Sequence, residues 1–172
     1  MSIISKKICL IGDFSVGKTS LIRRFVEDKF SDRYLSTVGV KISRKPIELA
    51  TPKVSRSVHL LIWDIEGQTK FQSITANYLR GASGSIIVAD LTRPETLEHL
   101  QKHLDLFLSV NPQGLATIAF NKSDLAVEEK LARIVELYNF DAHPQVLATH
   151  ITSAKTGEYV DTMFTQLAEN MI

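Results

Sequence analysis

The fold is decided by one stretch of sequence, Gly12-Asp13-Phe14-Ser15-Val16-Gly17-Lys18-Thr19. It fits the pattern G-x-x-x-x-G-K-[ST] and directly follows an apolar run at 8–11. We predict a buried strand, a glycine loop, and then a helix from Thr19 to about Asp28. Backbone N–H groups of such a loop surround a diphosphate, and the positive N-terminal end of the helix faces the same anion. The pattern therefore predicts a site for a nucleoside phosphate, with phosphate contacts from Ser15, Val16, Gly17, Lys18, Thr19 and Ser20.

Composition restricts the class of protein. A chain of 172 residues is long enough for one domain and short for two, and we expect a single, monomeric domain over 1–172. Hydrophobic residues make up 44% and charged residues 23%, as in a soluble globular protein. The net charge is +1, and short basic pairs such as Arg23-Arg24 are expected to be solvated. We expect no nucleic-acid partner.

Signals for secretion and membrane attachment are missing from the sequence. No apolar segment has the length of a signal peptide or of a membrane span. Ser2 stands where myristoylation needs glycine, and residues 167–172 contain no cysteine for prenylation. The single cysteine, Cys9, lies in the first apolar run and is expected to be buried. We therefore expect a cytoplasmic protein without an intrinsic membrane anchor.

Buried strands alternate with amphipathic helices along the chain. Apolar runs predict strands at 40–49 and 57–63, joined as a hairpin, and at 85–89, 115–120 and 146–151. The run from Val58 to Trp63 predicts a strand buried on both faces. An α/β fold of the P-loop NTPase class follows: a six-stranded, mainly parallel sheet with one antiparallel strand and helices on both faces. Helical stripes expected to pack on the sheet are Leu97, Leu100, Leu104 and Leu108; Leu131, Ile134, Val135 and Tyr138; and Val160, Met163, Phe164 and Leu167.

An acidic motif, Asp64-Ile65-Glu66-Gly67-Gln68, follows the predicted third strand. Ligands of parallel sheets bind at the carboxyl ends of the strands. There Asp64 can hold Mg²⁺ opposite the Thr19 hydroxyl, and Gly67 can present its N–H to a terminal phosphate. The tetrapeptide D-x-x-G is weak evidence alone, because it is also common in turns. Together with the glycine loop it predicts a magnesium site.

Two further motifs indicate which base is bound. The stretch 121–124 follows the fifth predicted strand, and 152–155 follows the sixth. The carboxylate of Asp124 offers two acceptor oxygens to the N1–H and the amino group of guanine, a donor pair that adenine lacks. Asn121 is expected to join the loops, and the stem of Lys122 to pack on the base. The N–H of Ala154 is expected to donate to the guanine O6. The predicted guanine site contains Asn121, Lys122, Asp124, Ser153, Ala154 and Lys155.

From about Lys6 to Ala168, the chain resembles the Ras superfamily of small GTPases, and most closely its Rab-like branch. The stretch 34–40 is similar to switch I of Rab proteins, and 63–68 is similar to the start of switch II. Phe71 and the stretch 78–82 extend the similarity. The resemblance implies a molecular switch that binds GTP or GDP and hydrolyses GTP to GDP and phosphate. It also implies that effectors, exchange factors and activating proteins recognise switch I (about 30–42) and switch II (about 64–80).

The resemblance also implies roles for individual residues. Phe30 would contact the edge of the guanine, and Thr37 would bind Mg²⁺ and the γ-phosphate in the GTP state. Gln68 would orient the attacking water. No arginine stands in register in switch I, so slow intrinsic turnover on the order of 10⁻⁴ s⁻¹ is expected. A surface recognised by Rab partners, for which ordinary partial burial is the alternative, corresponds here to Ile42, Trp63 and Tyr78.

The sequence departs from the family pattern at three places. Phe14 stands in the glycine loop where the family has a small residue, and it either crowds the entry of an activating arginine or turns outward onto switch II. Glu66 replaces an alanine, and its carboxylate either points into solvent, approaches the metal or repels the phosphate. No lipidated tail follows the last helix, as expected for a shortened chain or for a tail-less form.

Other functions stay open at the level of sequence. Phe14 and Glu66 motivate an interaction module that holds nucleotide without hydrolysing it. An ATP-dependent kinase is a poorer alternative, because Asp124 favours guanine. The five histidines show no ligand-like spacing and are expected to be structural or exposed: His59, His99, His103, His143 and His150.

Overall fold

The computed structural model of the chain describes residues 3–33, 36–50, 55–67 and 72–172. Six strands in these ranges form one sheet in the order β2-β3-β1-β4-β5-β6. The β2–β3 pair is antiparallel, and the other neighbouring pairs are parallel. The predicted sheet is therefore confirmed, while the hairpin connection at 51–54 lies outside the described residues. The strands are β1 (Ile4–Gly12), β2 (Val40–Ala50), β3 (Ser55–Ile65), β4 (Gly84–Asp90), β5 (Leu115–Asn121) and β6 (Val146–Ile151).

The described residues also form six α-helices, which cover the two faces of the sheet. Helices α1 and α6 pack on one face, and α2 to α5 contribute to the other. No helix was predicted at 72–79, where α2 lies. None of these helices has the length and apolar character to cross a lipid bilayer. They are α1 (Lys18–Glu27), α2 (Gln72–Leu79), α3 (Pro94–Glu98), α4 (Leu100–Val110), α5 (Glu128–Leu137) and α6 (Val160–Asn170), with a 3₁₀ turn at Ser123–Leu125.

The strands at the centre of the sheet are buried on both faces. Every residue of β4 is buried, and in β1 the side chains of Ile8 and Leu10 face α1 and α6 while Cys9 faces the opposite cluster. Neighbouring residues of a strand point to opposite faces, so a continuous apolar run is what such a strand requires. The sheet and its helices thus hold the carboxyl ends of β1, β3 and β4 at one edge.

Two expectations about burial are wrong. Between Val58 and Trp63 only alternate residues, Val58, Leu60 and Ile62, are buried, and the face that carries Trp63 is partly exposed. On that face α2 packs near the carboxyl end of the strand and leaves the rest of the hairpin uncovered. In α5, Val135 is 37% exposed instead of packed on the sheet, because the helix contacts the core only through the partly buried Leu131 and Ile134.

Phe164 provides a test of the packing between α6 and α1. Its side chain is fully buried, and its ring stacks on Phe25 with centroids 4.1 Å apart. We expect Phe164→Ala to lower the free energy of unfolding by about 3–5 kcal/mol, since it removes a large apolar group and leaves a cavity. Urea unfolding followed by circular dichroism measures this. The control Leu137→Ala, at a side chain 71% exposed, should stay within about 0.5 kcal/mol, and equal losses in both variants would contradict the assignment.

Candidate functional site

A cleft of about 390 Å³ lies at the carboxyl ends of the strands. This volume suits a small-molecule ligand. Three predicted site residues are buried and do not line the cleft: Val16, Ser153 and, at the end of β3, Asp64. Gln68 lies outside the described residues. The structure brings most of the predicted nucleotide contacts to the walls of the cleft: Ser15, Gly17, Lys18, Thr19, Ser20, Phe30, Thr37, Gly67, Asn121, Lys122, Asp124, Ala154 and Lys155.

The loop from 12 to 19 (the P-loop) curls around a buried ammonium group. Lys18 is 6% exposed, and its Nζ donates to the carbonyls of Gly12 at 3.1 Å and Asp13 at 2.8 Å. Burial lowers the pKa of Lys18 to about 8, against the opposing effect of the nearby Asp64 and Asp13 carboxylates. Gly17 adopts a φ of 103°, a left-handed conformation that favours glycine. The loop therefore presents a desolvated cation to whatever binds in the cleft.

Three oxygen-bearing side chains converge beside the P-loop. The Thr19 hydroxyl donates to Oδ2 of Asp64 at 2.5 Å and lies 2.8 Å from the Thr37 hydroxyl. Within the described residues, the buried Oδ1 of Asp64 has no hydrogen-bond partner. Burial raises the pKa of Asp64, although the Thr19 hydrogen bond and the Lys18 charge oppose this. Oxygen ligands and an unpartnered carboxylate oxygen fit a hard divalent cation such as Mg²⁺.

Asp124 lies at the opposite side of the cleft, where the loops after β5 and β6 meet. Its Oδ1 accepts a hydrogen bond from the Ser153 hydroxyl at 2.7 Å. Ser153 also accepts from the N–H of Thr156 at 3.1 Å, so the β6 loop holds its own shape. The carboxylate is thereby oriented at the cleft wall, beside the backbone of Ala154.

Two side chains tie this region to the P-loop. Asn121 donates through Nδ2 to the carbonyl of Val16 at 3.0 Å, and a Cβ on Gly17 would lie only 2.2 Å from that nitrogen. The ammonium of Lys122 donates to the carbonyl of Ser15 at 3.0 Å and lies 2.8 Å from the buried Asp90. The Lys122 stem lines the cleft while its charge is fixed on the P-loop.

Arg24 is a site residue that the sequence analysis missed. It was expected to be solvated, but its side chain is only 18% exposed. Its guanidinium donates to the carbonyl of Ala154 at 2.8 Å and to that of Lys155 at 2.5 Å. Helix α1 therefore holds the β6 loop in place. No spacing in the sequence indicated this contact, because it joins residues about 130 positions apart.

Glu66 has a hydrogen-bond partner that none of its three alternatives included. Its carboxylate accepts a hydrogen bond from the N–H of Gly39 at 3.1 Å, and its own N–H donates to the Gly39 carbonyl at 2.8 Å. Gly39 has a φ of 71°, which turns the chain so that both groups face Glu66. The unusual carboxylate thus links the segment around Thr37 to the end of β3.

Phe14 lines the cleft and is 39% exposed. Most of the switch II residues that the second alternative would contact, 68–71, lie outside the described residues. Its carbonyl accepts a hydrogen bond from the guanidinium of Arg93 at 2.7 Å. The residue is therefore held through its main chain by the segment after β4.

Ile42, Trp63 and Tyr78 lie close together on one surface. Ile42 is paired with Trp63 across the hairpin and is 52% exposed, whereas Trp63 and Tyr78 are partly buried in one apolar cluster. The ammonium of Lys7 lies 3.6 Å from the centre of the Trp63 ring and donates to the Tyr78 carbonyl at 2.6 Å. Such a cation–π contact fixes the orientation of the indole.

Two of the five histidines, expected to be structural or exposed, share a partner that was not expected. His99 and His103 both contact the carboxylate of Asp13 in the P-loop. Their separation by four residues was the available signal, because such a pair lies on one side of a helix. The partner in the P-loop was not visible in the sequence.

Comparisons with known proteins agree with this arrangement. The model of the Ras family matches residues 7–172. The Ras-related protein Rab-10 of Caenorhabditis elegans is 35% identical over 167 residues, which cover 96% of this chain and 80% of that protein. The GTP-binding protein ypt5 of Schizosaccharomyces pombe is 34% identical, with 98% and 78% covered. The Ras-related protein Rab-13 of Rattus norvegicus is 34% identical, with 96% and 79% covered.

Arg24→Ala tests whether α1 supports the β6 loop. The change removes two charge-assisted hydrogen bonds to that loop, each of which contributes about 1.5–3 kcal/mol. We expect the affinity for a fluorescent GDP analogue to fall at least tenfold (about 1.4 kcal/mol or more), measured by stopped-flow association and release. Arg133→Ala, at an exposed position of α5, is the control and should bind as the unchanged protein does. Equal binding by both variants would remove Arg24 from the site.

Proposed function

The chain belongs to the Ras family as a Rab-like member, and from this premise we propose that the cleft beside the P-loop is its GTP and GDP site. Proteins of this family are guanine-nucleotide-binding switches that hydrolyse GTP to GDP and phosphate, and this chain is such a GTPase. A module that holds nucleotide without hydrolysing it is not favoured. The whole of 1–172 is proposed to form one GTPase domain.

One observation supports the assignment of the cleft above all others. The buried Lys18, the hydroxyls of Thr19 and Thr37, and Asp124 all line the same cavity. Asp64 lies behind them and accepts a hydrogen bond from the Thr19 hydroxyl. A phosphate chain needs the ammonium of Lys18, a phosphate-bound cation needs the threonine and Asp64 oxygens, and guanine needs the carboxylate of Asp124. A guanosine triphosphate meets all three requirements in one molecule.

Ras-family GTPases generally act with Mg²⁺, and the residues here fit it. Thr19, Thr37 and Asp64 would hold the ion, with the unpartnered Oδ1 of Asp64 available to it directly or through water. When bound, the ion neutralises charge on the β- and γ-phosphates. Thr37 would join this set only when its segment lies as the structure has it, beside Asp64.

The chain's own groups account for the remainder of the reaction. Lys18 and the N–H groups of the P-loop bind the phosphates and stabilise the charge that develops as the γ-phosphate leaves. Gly67 packs against the P-loop main chain, where an added Cβ would come within 2.6 Å of the Phe14 nitrogen. Gln68 is proposed to orient the attacking water. Because Phe14 narrows this corner, an activating protein would have to insert its arginine past the ring.

Family membership implies regulators and effectors in general terms. We propose that these regulators and effectors bind the surface formed by Ile42, Trp63 and Tyr78, next to the segment around Thr37. Ile42 in that surface is more than half exposed and apolar, as a docking residue must be. A monomeric protein acting in the cytoplasm is part of the same proposal, and the buried, unpaired Cys9 is in keeping with a reducing compartment.

Asp124→Asn tests the identity of the base. Xanthine carries a carbonyl where guanine has its amino group, so an amide can donate to it and a carboxylate cannot. We expect the ratio of GTP to XTP affinity to fall by about 100-fold or more, measured by competition against a fluorescent GDP analogue. Glu158→Gln removes another carboxylate of the same loops and should leave the ratio unchanged. Unchanged selectivity in the Asp124 variant would contradict the guanine assignment.

Gln68→Leu tests the chemical step. Its amide is proposed to touch the attacking water in the transition state and not the bound GTP, so its loss should lower the rate constant and spare affinity. We expect single-turnover phosphate release to slow at least tenfold, with nucleotide affinity unchanged within about twofold (~0.4 kcal/mol). Gln101→Leu, at an exposed glutamine of α4, is the control. A leucine variant as fast as the unchanged protein would withdraw the role of Gln68.

A further inference from the structure

The segment after β4 contacts the outer side of the P-loop through a cluster of three titratable side chains. Oδ2 of Asp13 lies 2.6 Å from Nδ1 of His99, and Oδ1 lies 2.7 Å from Nε2 of His103. The side chains of Asp13 and His103 are only 16% and 15% exposed, whereas that of His99 is 48% exposed. Both carboxylate oxygens are therefore engaged, one of them by an imidazole that is mostly buried.

The main chain of Asp13 lies next to the phosphate-binding groups. Its carbonyl accepts a hydrogen bond from the Lys18 ammonium at 2.8 Å. A Cβ on Gly67 would lie 2.7 Å from the carbonyl carbon and oxygen of Asp13, so the two backbones are in contact. Any displacement of Asp13 would move the ammonium and the Gly67 backbone with it.

The same segment also holds the next residue of the loop. The Arg93 guanidinium donates to the Phe14 carbonyl at 2.7 Å and is itself paired with Glu95 at 3.1 Å. Two consecutive P-loop residues, Asp13 and Phe14, thus depend on groups from the region between β4 and the middle of α4. None of these groups lines the cleft, so they can act on the nucleotide only through the P-loop.

The charges of the cluster depend on pH. Burial alone would raise the pKa of Asp13, but hydrogen bonds and charge from His103 and His99 outweigh it, and the pKa lies below its usual value. Burial lowers the pKa of His103, with Lys18 and His99 adding to this effect and Asp13 opposing it. At neutral pH a neutral His103 donates one ring N–H to a carboxylate. It gains a second proton only below its ordinary pKa of 6.5.

We propose that His99 and His103 are positioning residues that act through Asp13 to hold the P-loop around the nucleotide, and that protonation of His103 strengthens this hold. The inference rests on the proposed nucleotide site. An imidazolium facing a carboxylate makes a stronger hydrogen bond than a neutral ring, and its charge lies on the side of the loop that faces away from the phosphates. Nucleotide release should therefore slow as the pH falls below 6.5.

The test measures release of a fluorescent GDP analogue from the full chain with Mg²⁺, between pH 5.0 and 8.0. His103→Gln keeps a donor near the position of Nε2 but cannot titrate in this range, whereas His103→Leu removes the donor. We expect release at pH 7.5 to be about tenfold faster in the leucine variant and within about twofold in the glutamine variant. Between pH 7.5 and 5.0, release should slow about threefold or more in the unchanged protein, and it should slow less in the glutamine variant, which keeps only His99 as an imidazole beside Asp13.

His150→Gln is the matched control. This histidine of β6 is also half-buried with a lowered pKa, caused by burial, and it contacts Gln166 of α6 instead of the P-loop. Its variant should keep the pH profile of the unchanged protein. The inference is overturned if the His103→Gln profile matches that of the unchanged protein, or if the latter shows no slowing in acid. A chain that binds no guanine nucleotide at any pH would instead overturn the proposed function, so the two failures are distinguishable.

Discussion

Each carbonyl of the P-loop from Gly12 to Val16 accepts a hydrogen bond from a side chain, and the site depends on this constraint. Lys18 holds the carbonyls of Gly12 and Asp13, and other elements hold the next three. Backbone carbonyls that leave a strand must find donors elsewhere, and here side chains from α1, from the segment after β4 and from the end of β5 supply them. The N–H groups are then free to turn towards the cleft and an anion. The other three donors are Arg93 to Phe14, Lys122 to Ser15 and Asn121 to Val16.

This arrangement separates what the sequence could predict from what it could not. The strands, the hairpin and the motifs at the strand ends follow from local patterns. The spacing of apolar residues and the positions of glycines determine the backbone structure within a few residues. The pairing of Thr19 with Asp64 follows from the same logic, since parallel strands end at one edge. Thr37 was expected there from the family resemblance alone. Arg24, by contrast, joins carbonyls about 130 positions away, and the Asp13–His103 contact spans 90 positions. Such contacts depend on how helices pack, which no local pattern encodes.

Two departures from the family pattern, Glu66 and Phe14, also make tertiary contacts that the sequence does not reveal. The sequence indicated that Glu66 is unusual, but the three alternatives for it considered only the charge of its carboxylate. The structure gives it a backbone donor, the N–H of Gly39, on the segment that carries Thr37. A carboxylate that meets an N–H is satisfied without solvent or metal. At Phe14 the sequence drew attention to the ring, whereas the structure adds a hydrogen bond from Arg93 to the carbonyl.

The Gly39–Glu66 and Thr37–Asp64 contacts also bear on how such a switch changes state. Both join the segment of 36–40 to the end of β3, and both are present in the arrangement that the structure describes. A contact present in one of two conformations favours that conformation by its own free energy, on the order of 1 kcal/mol for a backbone N–H to a partly exposed carboxylate. An alanine at position 66 could not make this contact. The Glu66 carboxylate therefore adds a contact that favours the ordered position of Thr37. With it, this position depends less on bound phosphate and metal than it would with the contacts of Thr37 to Thr19 and Asp64 alone.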